Sequence, residues 1–435
     1  MEAHGQKPNF SGYYKKGSSG PNLYLTQVRR GTPGGEYLRR FWMPVAYLSE
    51  LGTVPLRVRA LGEDLVVFKD LSGRIGALHL SCCHRNTSLE FGIIEKRGIR
   101  CCYHGRLYDI DGTILEMPGE PESYRLKSSA RQGAYPTHEF GGIVFIYMGP
   151  PDRIPVFPMY DRLTLPGIKL VPGSRWPVPC NWLQAQENAL DPAHTATLHA
   201  IPQLRSMDHF ASQFGNFPNL ITWSEMPGGL IYMAARVIDD KVWVRSAETL
   251  GPVMRTISSI FESGTAVKRA TPPFMSFWIL PIDDDEICHF YLSHVTDNEL
   301  MPFEKRRALE DFGQTADRPY TERQFIPGDY DAQAGQGPIN DHGAENLATM
   351  DRGIVMLRRA LRRDIEAVEQ GRDPPGFYLS QASVAPTFAN DCVVEASSIP
   401  GNVSDPAVLE AYCKRLADDY LARPPMEALR ASLSA

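Results

Sequence analysis

The sequence lacks any run of about 18 consecutive apolar residues, the length that a helix needs to cross a bilayer, so we expect no membrane span. It also lacks an excess of positive charge, since 45 Lys and Arg stand against 51 Asp and Glu. Without a basic run there is no field to attract nucleic acid. Residues 1–20 contain no apolar segment typical of a secretory signal. These absences predict a cytoplasmic protein that binds neither a membrane nor nucleic acid.

Cysteine is also scarce, with 8 residues in a chain of 435. These cysteines are spread too thinly for a disulfide framework. Four of them nevertheless fall in two adjacent pairs, Cys82-Cys83 and Cys101-Cys102. Such clustering indicates metal binding.

The chain is too long for one compact core, so at least two domains are expected. Short alternating apolar segments between Gly and Asp turns predict β-strands early in the sequence, and a Pro-rich connection follows them. We predict an α+β protein, divided into an extension at 1–34, an all-β domain at 35–150, a linker at 151–180, a mixed second domain at 181–404 and a C-terminal helix at 405–435.

The second domain mixes helical and strand-like patterns. Apolar residues at helical spacing predict helices near 181–200 and 345–369, and a loop rich in Gly, Asp and Gln at 327–340 precedes the second of them. Strand-like segments lie between the two helices, at 229–237, 242–248, 274–280 and 287–295.

The first candidate site combines Cys and His at metal-ligand spacing. Cys82 and His84 are separated by one residue and, after sixteen further residues, Cys101 and His104 are separated by two. Two irons bridged by sulfide need two protein ligands each, and a His pair on one iron raises the reduction potential above that of an all-Cys cluster. A structural zinc site is the alternative, although zinc modules usually place their first two ligands about two to four residues apart.

A second candidate site gathers two carboxylates and two imidazoles within 13 residues, namely Glu187, Asp191, His194 and His199. An open non-haem iron site uses two His and one carboxylate. His194 and His199 are five residues apart and diverge on a regular helix, so the helix must end or distort between them if both bind one ion. The alternatives are that each His is a satisfied core residue, and that Asp191 is an N-cap before Pro192.

The carboxylate for such a site should come from elsewhere, and Asp351 is the best candidate. Its neighbours at helical spacing are apolar, namely Leu347, Ala348, Ile354 and Val355. A buried carboxylate without a cation or hydrogen bonds costs several kcal/mol or is protonated, so a metal facing this helix would explain it. Arg358 as an ion-pair partner is the competing explanation.

Both cysteine segments resemble the ligand boxes of Rieske proteins: Cys82-Cys83-His84-Arg85 and Cys101-Cys102-Tyr103-His104-Gly105. The resemblance implies a 2Fe-2S cluster with the ligands Cys82, His84, Cys101 and His104. Two residues depart from the ring-oxygenase pattern, since Asn86 stands where Gly is usual and Arg106 where Trp is usual. These departures could alter cluster packing or partner docking. Cys83 and Cys102 do not sit where respiratory-chain Rieske proteins place their loop disulfide, so we interpret both as packing residues.

The segment from Asn188 to His199 resembles the D-x-x-H-x4-H iron box of Rieske non-haem iron oxygenases. The segment after Asp351 looks like the region that supplies the third ligand in their phthalate-dioxygenase-like branch. The resemblance implies a Rieske domain followed by a helix-grip catalytic domain, with one mononuclear iron held by His194, His199 and Asp351. It also implies subunits joined head to tail, as a homotrimer or a multiple of three.

In this family a separate NADH-dependent reductase, with or without a ferredoxin, supplies single electrons. The resemblance implies that they pass from His104 of one subunit through Asp191 of the next to His194 and the iron, where O2 reacts beside the substrate. Asp191 is then a bridge and not a ligand. Glu187 and Asn188 are expected to tune the iron site by hydrogen bonding.

The branch includes ring dioxygenases, O-demethylases and diaryl-ether-cleaving enzymes. The amino-terminal extension and the segment Pro327–Tyr330 look most like the dehydrodivanillate O-demethylases, which act on lignin-derived biaryl acids. We therefore expect a terminal oxygenase that O-demethylates or monooxygenates a carboxylated aromatic compound, with ring cis-dihydroxylation as the alternative.

Arg236, Arg245 and Lys268 could line a pocket for an anion, although surface placement is the usual alternative. An electron carrier and a helix-grip ligand-binding protein remain as other classes, and both leave the second candidate site unexplained.

Overall fold

The computed structural model describes residues 12, 17–121, 129–199, 213–258, 267–296, 303–378, 380 and 384–433. The strands before residue 150 are β1 Trp42–Tyr47, β2 Leu56–Ala60, β3 Glu63–Lys69, β4 Ile75–His79, β5 Ile93–Ile94, β6 Ile99–Arg100, β7 Leu107–Tyr108, β8 Ile114–Glu116, β9 Ala134–Tyr135, β10 Thr137–Phe140 and β11 Ile143–Tyr147. The later strands are β12 Ile168–Pro172, β13 Trp176–Val178, β14 Leu220–Met226, β15 Gly229–Ile238, β16 Lys241–Leu250, β17 Met254–Ser258, β18 Pro273–Asp283, β19 Glu286–Thr296 and β20 Asp391–Glu395.

The α-helices in the same residues are α1 Leu23–Thr26, α2 Pro33–Leu38, α3 Trp182–Asn188, α4 Thr195–Leu198, α5 Phe303–Asp311, α6 Tyr320–Phe325, α7 Asp329–Ala334, α8 Arg352–Glu369, α9 Pro406–Ala422 and α10 Pro425–Leu433. No helix among these described residues is long and apolar enough to cross a membrane.

The first part of the chain forms three small antiparallel sheets, with the strand orders β1-β11-β10, β2-β3-β4-β9 and β5-β6-β7-β8. Strand β3 is buried on both faces, and successive side chains point in opposite directions. Leu65 and Val67 join a core shared with the rest of the protein, whereas Val66 and Phe68 join a separate core that contains Cys82 and Cys101. The candidate cluster loops therefore rest on a core of their own.

One nine-stranded antiparallel sheet dominates the second part, in the order β12-β19-β18-β17-β16-β15-β14, with β13 beside β19 and β20 beside β16. Alternate residues of its central strands have different surroundings. Trp278 and Phe290 pack into the core shared with the first part, whereas Met275 and Phe277 pack into a smaller cluster on the opposite face. The opposite face, which carries Met275 and Phe277, also carries the candidate iron site.

Helix α8 buries Leu357, Leu361 and Ile365 at helical spacing. Its second residue is a glycine because the sheet approaches closely there: a Cβ on Gly353 would lie 2.1 Å from Nε1 of Trp223. The same indole nitrogen donates a hydrogen bond of 2.9 Å to the carbonyl oxygen of Leu190. This contact fixes the segment that holds the two candidate histidine ligands.

The structure confirms an α+β fold, with an all-β Rieske-type part followed by a helix-grip arrangement of an antiparallel sheet with helices. The helix predicted at 181–200 is interrupted, since α3 ends at Asn188 and α4 begins at Thr195. Pro192 explains the break, because proline has no N–H and disfavours helical geometry in the residue before it. The helix predicted at 345–369 begins only at Arg352.

Candidate functional site

Two loops of the same geometry present the predicted cluster ligands. In the first, Cys82 N donates to the carbonyl oxygen of Thr87 at 2.9 Å, and Asn86 N donates to that of Cys82 at 2.9 Å. In the second, Cys101 N donates to the carbonyl oxygen of Arg106 at 2.8 Å, and Gly105 N donates to that of Cys101 at 3.1 Å. Each loop thus turns back over five residues and supplies one Cys and one His.

The fifth residue of each loop has a left-handed backbone. Asn86 has φ of 62° and Gly105 has φ of 70°. Glycine adopts this conformation freely, and asparagine is one of the few other residues that tolerate it. The departure at Asn86 is therefore compatible with the loop geometry.

The four predicted ligands are arranged in two layers. Cys82 and Cys101 are buried, whereas His84 is partly exposed and His104 is exposed, with their ring centroids 4.6 Å apart. This arrangement suits a cluster whose Cys-bound iron is inside and whose His-bound iron is at the surface. Burial, then the positive charge of Arg106, lowers the pKa of His84.

The neighbouring cysteines are not packing residues, because both Cys83 and Cys102 are exposed. The interpretation made from the sequence is wrong at this point. Arg106, in contrast, is buried, so the second departure places a positive charge beneath the surface of the cluster loops.

The second site brings His194, His199 and Asp329 together. Each residue offers one possible ligand atom, and these three atoms all lie within 4.8 Å of one another. His194 Nε2 is 3.7 Å from Asp329 Oδ1, and His199 Nε2 is 3.5 Å from Asp329 Oδ2. The break between α3 and α4 permits this approach, since His194 is the residue before α4 and His199 is the residue after it. Two imidazoles and one carboxylate form the donor set of open non-haem iron sites.

The orientation of His194 is set by Asp191. Nδ1 of His194 contacts the carbonyl oxygen of Asp191 and lies 3.7 Å from its Oδ2. A proton on Nδ1 leaves the lone pair on Nε2, which faces Asp329. Asp191 Oδ1 also accepts a hydrogen bond from Ala193 N at 2.9 Å, as a cap residue does.

Two side-chain amides hold the Asp329 carboxylate. Asn188 Nδ2 donates to Oδ1 at 3.3 Å, and Gln314 Nε2 donates to Oδ2 at 2.8 Å. Burial opposes the ionised form, but the two imidazoles and Gln314 together hold the pKa of Asp329 well below its usual range. The group is an anion ready to bind a cation.

Asp351 lies elsewhere, at the start of α8. Its Oδ2 accepts a hydrogen bond of 2.7 Å from Ala348 N, which caps the turn before the helix. The structure therefore corrects the sequence prediction: Asp329, not Asp351, joins the two imidazoles. The apolar neighbours of Asp351 do not show that its side chain is buried beside a metal. Leu347 and Ala348 precede the helix, and Leu347 is exposed.

Arg358, the competing partner for Asp351, pairs with two other carboxylates. Its Nη2 lies 3.0 Å from Glu187 Oε2 and 2.8 Å from Glu345 Oε1. Burial raises the pKa of Glu187 to about 7, although Arg358 opposes the rise. Of the two residues expected to tune the iron site, Asn188 bonds to Asp329, whereas Glu187 faces Arg358.

A cavity of about 210 Å³ adjoins the triad of His194, His199 and Asp329. Its wall includes six aromatic side chains, those of Trp176, Phe214, Tyr232, Phe274, Phe277 and Phe312. Two guanidinium groups also line it, those of Arg245 and Arg255. The cavity can hold an apolar ligand beside the open side of the triad.

The two cationic side chains differ in their partners. Arg245 forms an ion pair of 2.9 Å with Asp391, while its Nε is buried without a hydrogen-bond partner. Arg255 donates to the carbonyl oxygen of Ala185 at 2.9 Å and lies 3.4 Å from Nδ1 of His289. Within the described part of the chain, no carboxylate forms an ion pair with Arg255.

Of the three cationic residues singled out in the sequence, Arg245 alone lines this cavity. Arg236 is buried against Trp243, and it donates to the carbonyl oxygens of Phe214 and Asn216. Lys268 is partly exposed and pairs through its backbone with Val393. Arg255 was missed, and it lies on β17, a strand that is buried on both faces and shows no apolar alternation in its sequence.

Asp329 was also missed as a ligand. The segment Pro327-Gly328-Asp329-Tyr330 stands out in the sequence, and its aspartate follows a glycine at the start of α7. That pattern alone predicts a helix start, since acidic residues are favoured in the first turn. Nothing in the local sequence shows that this turn faces residues 194–199.

Residues 41–135 match the family model of the Rieske [2Fe-2S] domain. The chain is 40% identical over 436 residues to the tert-butanol monooxygenase / tert-amyl alcohol desaturase oxygenase subunit of Aquincola tertiaricarbonis, covering 94% of this chain and 91% of that protein. It is 38% identical to the phenoxybenzoate dioxygenase subunit alpha of Ectopseudomonas oleovorans, over 83% of this chain and 89% of that protein.

The 5,5'-dehydrodivanillate O-demethylase oxygenase subunit of Sphingobium sp. (strain NBRC 103272 / SYK-6) is 32% identical, over 87% of this chain and 88% of that protein. Among solved structures, NdmA of Pseudomonas putida CBB5 with caffeine superposes with a TM-score of 0.60 at 20% identity, covering 77% of this chain and 93% of that chain. This last likeness concerns the fold.

Proposed function

The chain belongs to the family of Rieske oxygenase alpha subunits, and from this premise we propose that it is a terminal oxygenase that oxidises a carboxylated aromatic compound with O2. The chain is an oxidoreductase, and its Rieske domain supports a 2Fe-2S cluster. The proposal goes further in assigning the cluster ligands as Cys82, His84, Cys101 and His104. A single observation carries it: the triad of His194, His199 and Asp329 adjoins an aromatic-lined cavity.

The proposed mononuclear iron is held by this triad, with His194 and His199 each supplying Nε2 and Asp329 supplying a carboxylate oxygen. Iron in such a site provides open positions at which O2 is reduced beside the substrate. The protein contributes orientation. Asp191 sets the tautomer of His194, Asn188 and Gln314 hold Asp329, and aromatic side chains line the space beside the triad in which the substrate would lie.

We further propose that electrons reach the cluster from a separate NADH-dependent reductase, directly or through a ferredoxin. The exposed ring of His104 is suited to pass them on, and Asp191 is a suitable receiver because it is partly exposed and contacts His194. The two residues act between neighbouring subunits of a homotrimer or a multiple of three. Asp191 is then a bridging residue between the two metal centres.

The substrate class is proposed from the cavity. Aromatic rings suit the aromatic wall, and a carboxylate suits Arg255, which is buried and forms no ion pair with any described carboxylate. Burial lowers the pKa of Arg255 to about 10, so the guanidinium remains charged at neutral pH. The relatives at 38% and 32% identity are named for phenoxybenzoate and dehydrodivanillate, which are both aromatic acids.

O-demethylation is the proposed reaction. A methoxyarene, O2, two electrons and two protons yield a phenol, formaldehyde and water, so the reductase supplies one NADH for each methyl group removed. The cavity walls must place the methoxy carbon, not the ring, at the triad. The relative named as an O-demethylase supports this choice.

A ring cis-dihydroxylation is the second candidate, and the relative named as a phenoxybenzoate dioxygenase favours it. The relative at 40% identity is named for tertiary alcohols, so an aromatic ring is not a requirement throughout the family. These relatives favour an enzyme over an electron carrier or a ligand-binding protein.

The test is a turnover assay with a generic Rieske reductase, NADH and four substrates: 3-methoxybenzoate, its methyl ester, 3-phenoxybenzoate and tert-butanol. Formaldehyde, cis-diol, phenol and NADH consumption are scored separately. We expect formaldehyde from the free acid, in a ratio of one to NADH, and little turnover of the ester. Preferential oxidation of tert-butanol, or equal turnover of acid and ester, would contradict the proposed substrate class.

Arg255→Met tests the anion contact directly. We expect the KM for the acid to rise about 10- to 100-fold, as for a lost charged hydrogen bond of roughly 1.5–3 kcal/mol, while the ester is unaffected. Arg363→Met, at an exposed position on α8, is the matched control and should leave both values unchanged.

A further inference from the structure

Gln314 belongs both to the cavity wall and to the surroundings of Asp329. Its Nε2 donates to Asp329 Oδ2 at 2.8 Å, while Asn188 Nδ2 donates to Oδ1 at 3.3 Å. Each carboxylate oxygen therefore accepts one amide hydrogen and keeps a further lone pair. This arrangement fixes the plane of the carboxylate before any cation arrives.

The backbone explains why Gln314 and Asp329 are neighbours. Gly313 and Gly328, the residues that precede them, cross so closely that a Cβ on Gly328 would lie 2.3 Å from Cα of Gly313. Tyr330 N also donates to the carbonyl oxygen of Gly313 at 3.0 Å. Only glycine permits this approach, and the φ of 76° at Gly313 adds to the requirement. The crossing holds Gln314 against Asp329.

We propose that Gln314 is a positioning residue of the iron site, which holds the Asp329 carboxylate in the orientation that binds the metal. This inference rests on the proposed role of Asp329 as a ligand. Without the amide, Asp329 Oδ2 is free to turn toward His199 Nε2, which lies only 3.5 Å away. Hydrogen bonds to ligating groups typically contribute about 10- to 100-fold to metal affinity.

The test measures Co2+ binding to the full-length protein with its 2Fe-2S cluster intact and its mononuclear iron removed by chelation. Gln314→Leu keeps the approximate volume and removes the donor. We expect Co2+ affinity to fall about 10- to 100-fold and the ligand-field absorption bands to shift. Because no substrate is present, the change in the cavity wall does not affect either readout.

Gln336→Leu is the matched control, since Gln336 is exposed, and it should bind Co2+ as the wild type does. The visible circular dichroism of the cluster reports whether each variant is folded, and Gln314→Met replaces Gln314→Leu if the latter is not. Wild-type affinity and bands in the folded Gln314 variant, together with loss of Co2+ binding in Asp329→Ala, overturn this inference alone. Wild-type binding in Asp329→Ala overturns the proposed iron site as well.

Discussion

The hydroxyl oxygen of Tyr108 lies 2.9 Å from Sγ of Cys82 and 3.5 Å from Sγ of Cys83. Tyr108 is buried in the core beneath the cluster loops, so water does not compete for this contact. Burial, then the contact with Cys82, raises the pKa of Tyr108 far above its usual value, which keeps the hydroxyl protonated and able to donate. A donor to a ligand sulfur stabilises the reduced cluster, which carries more negative charge.

Tyr108→Phe should therefore lower the reduction potential of the cluster. A net hydrogen-bond energy of about 0.5–1.5 kcal/mol corresponds to roughly 20–60 mV for one electron. A redox titration followed by electron paramagnetic resonance measures the shift. Tyr135→Phe is the control, because Tyr135 bonds to Glu63 and not to a cluster ligand. An unchanged potential in Tyr108→Phe would show that the hydroxyl does not donate to the sulfur.

Asp329→Ala should reduce the iron content of the protein, whereas Asp351→Ala should not. Loss of Asp329 removes the carboxylate from the triad that is proposed to hold iron, so the iron content should fall from the proposed three atoms per chain to the two of the cluster. Asp351→Ala should keep its full iron content and lose about 1 kcal/mol of stability, as expected for loss of the hydrogen bond from Ala348 N in the turn before α8. Metal analysis with acid-labile sulfide, and thermal unfolding, measure the two effects. Iron loss in Asp351→Ala, with normal iron content in Asp329→Ala, would instead support Asp351 as the third ligand, as predicted from the sequence.

The sequence identified the residues whose spacing is local. The Cys and His of each cluster loop lie within four residues, and the two histidines of the triad lie within six. Their spacing could therefore be compared with metal-ligand motifs within short segments of the sequence. The fold class followed from strand alternation and from the same motifs. The break at Pro192 was also implied by the divergence of His194 and His199 on a regular helix.

Asp329 and Arg255 could not be found in this way, because each meets the site through a long-range contact. Asp329 reaches the histidines from a segment 130 residues away, where the crossing of Gly313 and Gly328 places it. Asp351 was favoured by apolar neighbours at helical spacing, but the helix begins only at Arg352, so the assumed periodicity did not apply. Tertiary packing decided both positions.

Arg245 and Asp391 form an ion pair of 2.9 Å whose side chains are only 5% and 3% exposed. Arg245→Leu leaves the carboxylate buried without its cation, which should destabilise the protein by about 3–5 kcal/mol. Arg245→Leu with Asp391→Leu should recover much of that loss. Thermal unfolding of the two variants and the wild type measures it, and equal losses in both variants would contradict the pairing.

The stability that Arg245→Leu loses relative to the wild type should increase with pH. Burial raises the pKa of Asp391 in the folded protein, and loss of Arg245 removes a charge that opposes the rise. The folded state then holds a proton that the unfolded state releases above about pH 3.9. The wild type holds the same proton up to its own raised folded pKa, so the stability deficit of Arg245→Leu relative to the wild type should grow as the pH rises above that pKa. A deficit that shrinks with rising pH would contradict the argument.

Asp191→Asn should separate electron transfer from metal binding. The variant keeps the backbone carbonyl that contacts His194, so iron and cluster contents should remain those of the wild type. If Asp191 bridges the centres of neighbouring subunits, reoxidation of the reduced cluster by O2 and substrate should slow at least about 10-fold, as for loss of roughly 1.4 kcal/mol. Stopped-flow absorption at the cluster bands measures the rate. An unchanged rate would place the electron path elsewhere.

Asn86→Gly and Asn86→Val should differ in cluster retention. Glycine accepts the φ of 62° without strain, whereas a β-branched residue there costs of order 1–3 kcal/mol. The valine variant should therefore lose its cluster faster on heating, as followed by bleaching of the visible absorption. Equal bleaching rates in the two variants would show that the left-handed backbone at residue 86 is not required.

The crossing of Gly313 and Gly328 closes the base of a lobe that contains helix α6 and its exposed aromatic side chains, Tyr320 and Phe325. Because the chain is tied at this base, the number of residues in the lobe does not set the distance from Asp329 to the histidines. Closing a longer loop costs little additional entropy. During evolution, insertions and deletions between the two glycines can therefore reshape the outer surface of the protein while the triad of His194, His199 and Asp329 keeps its geometry.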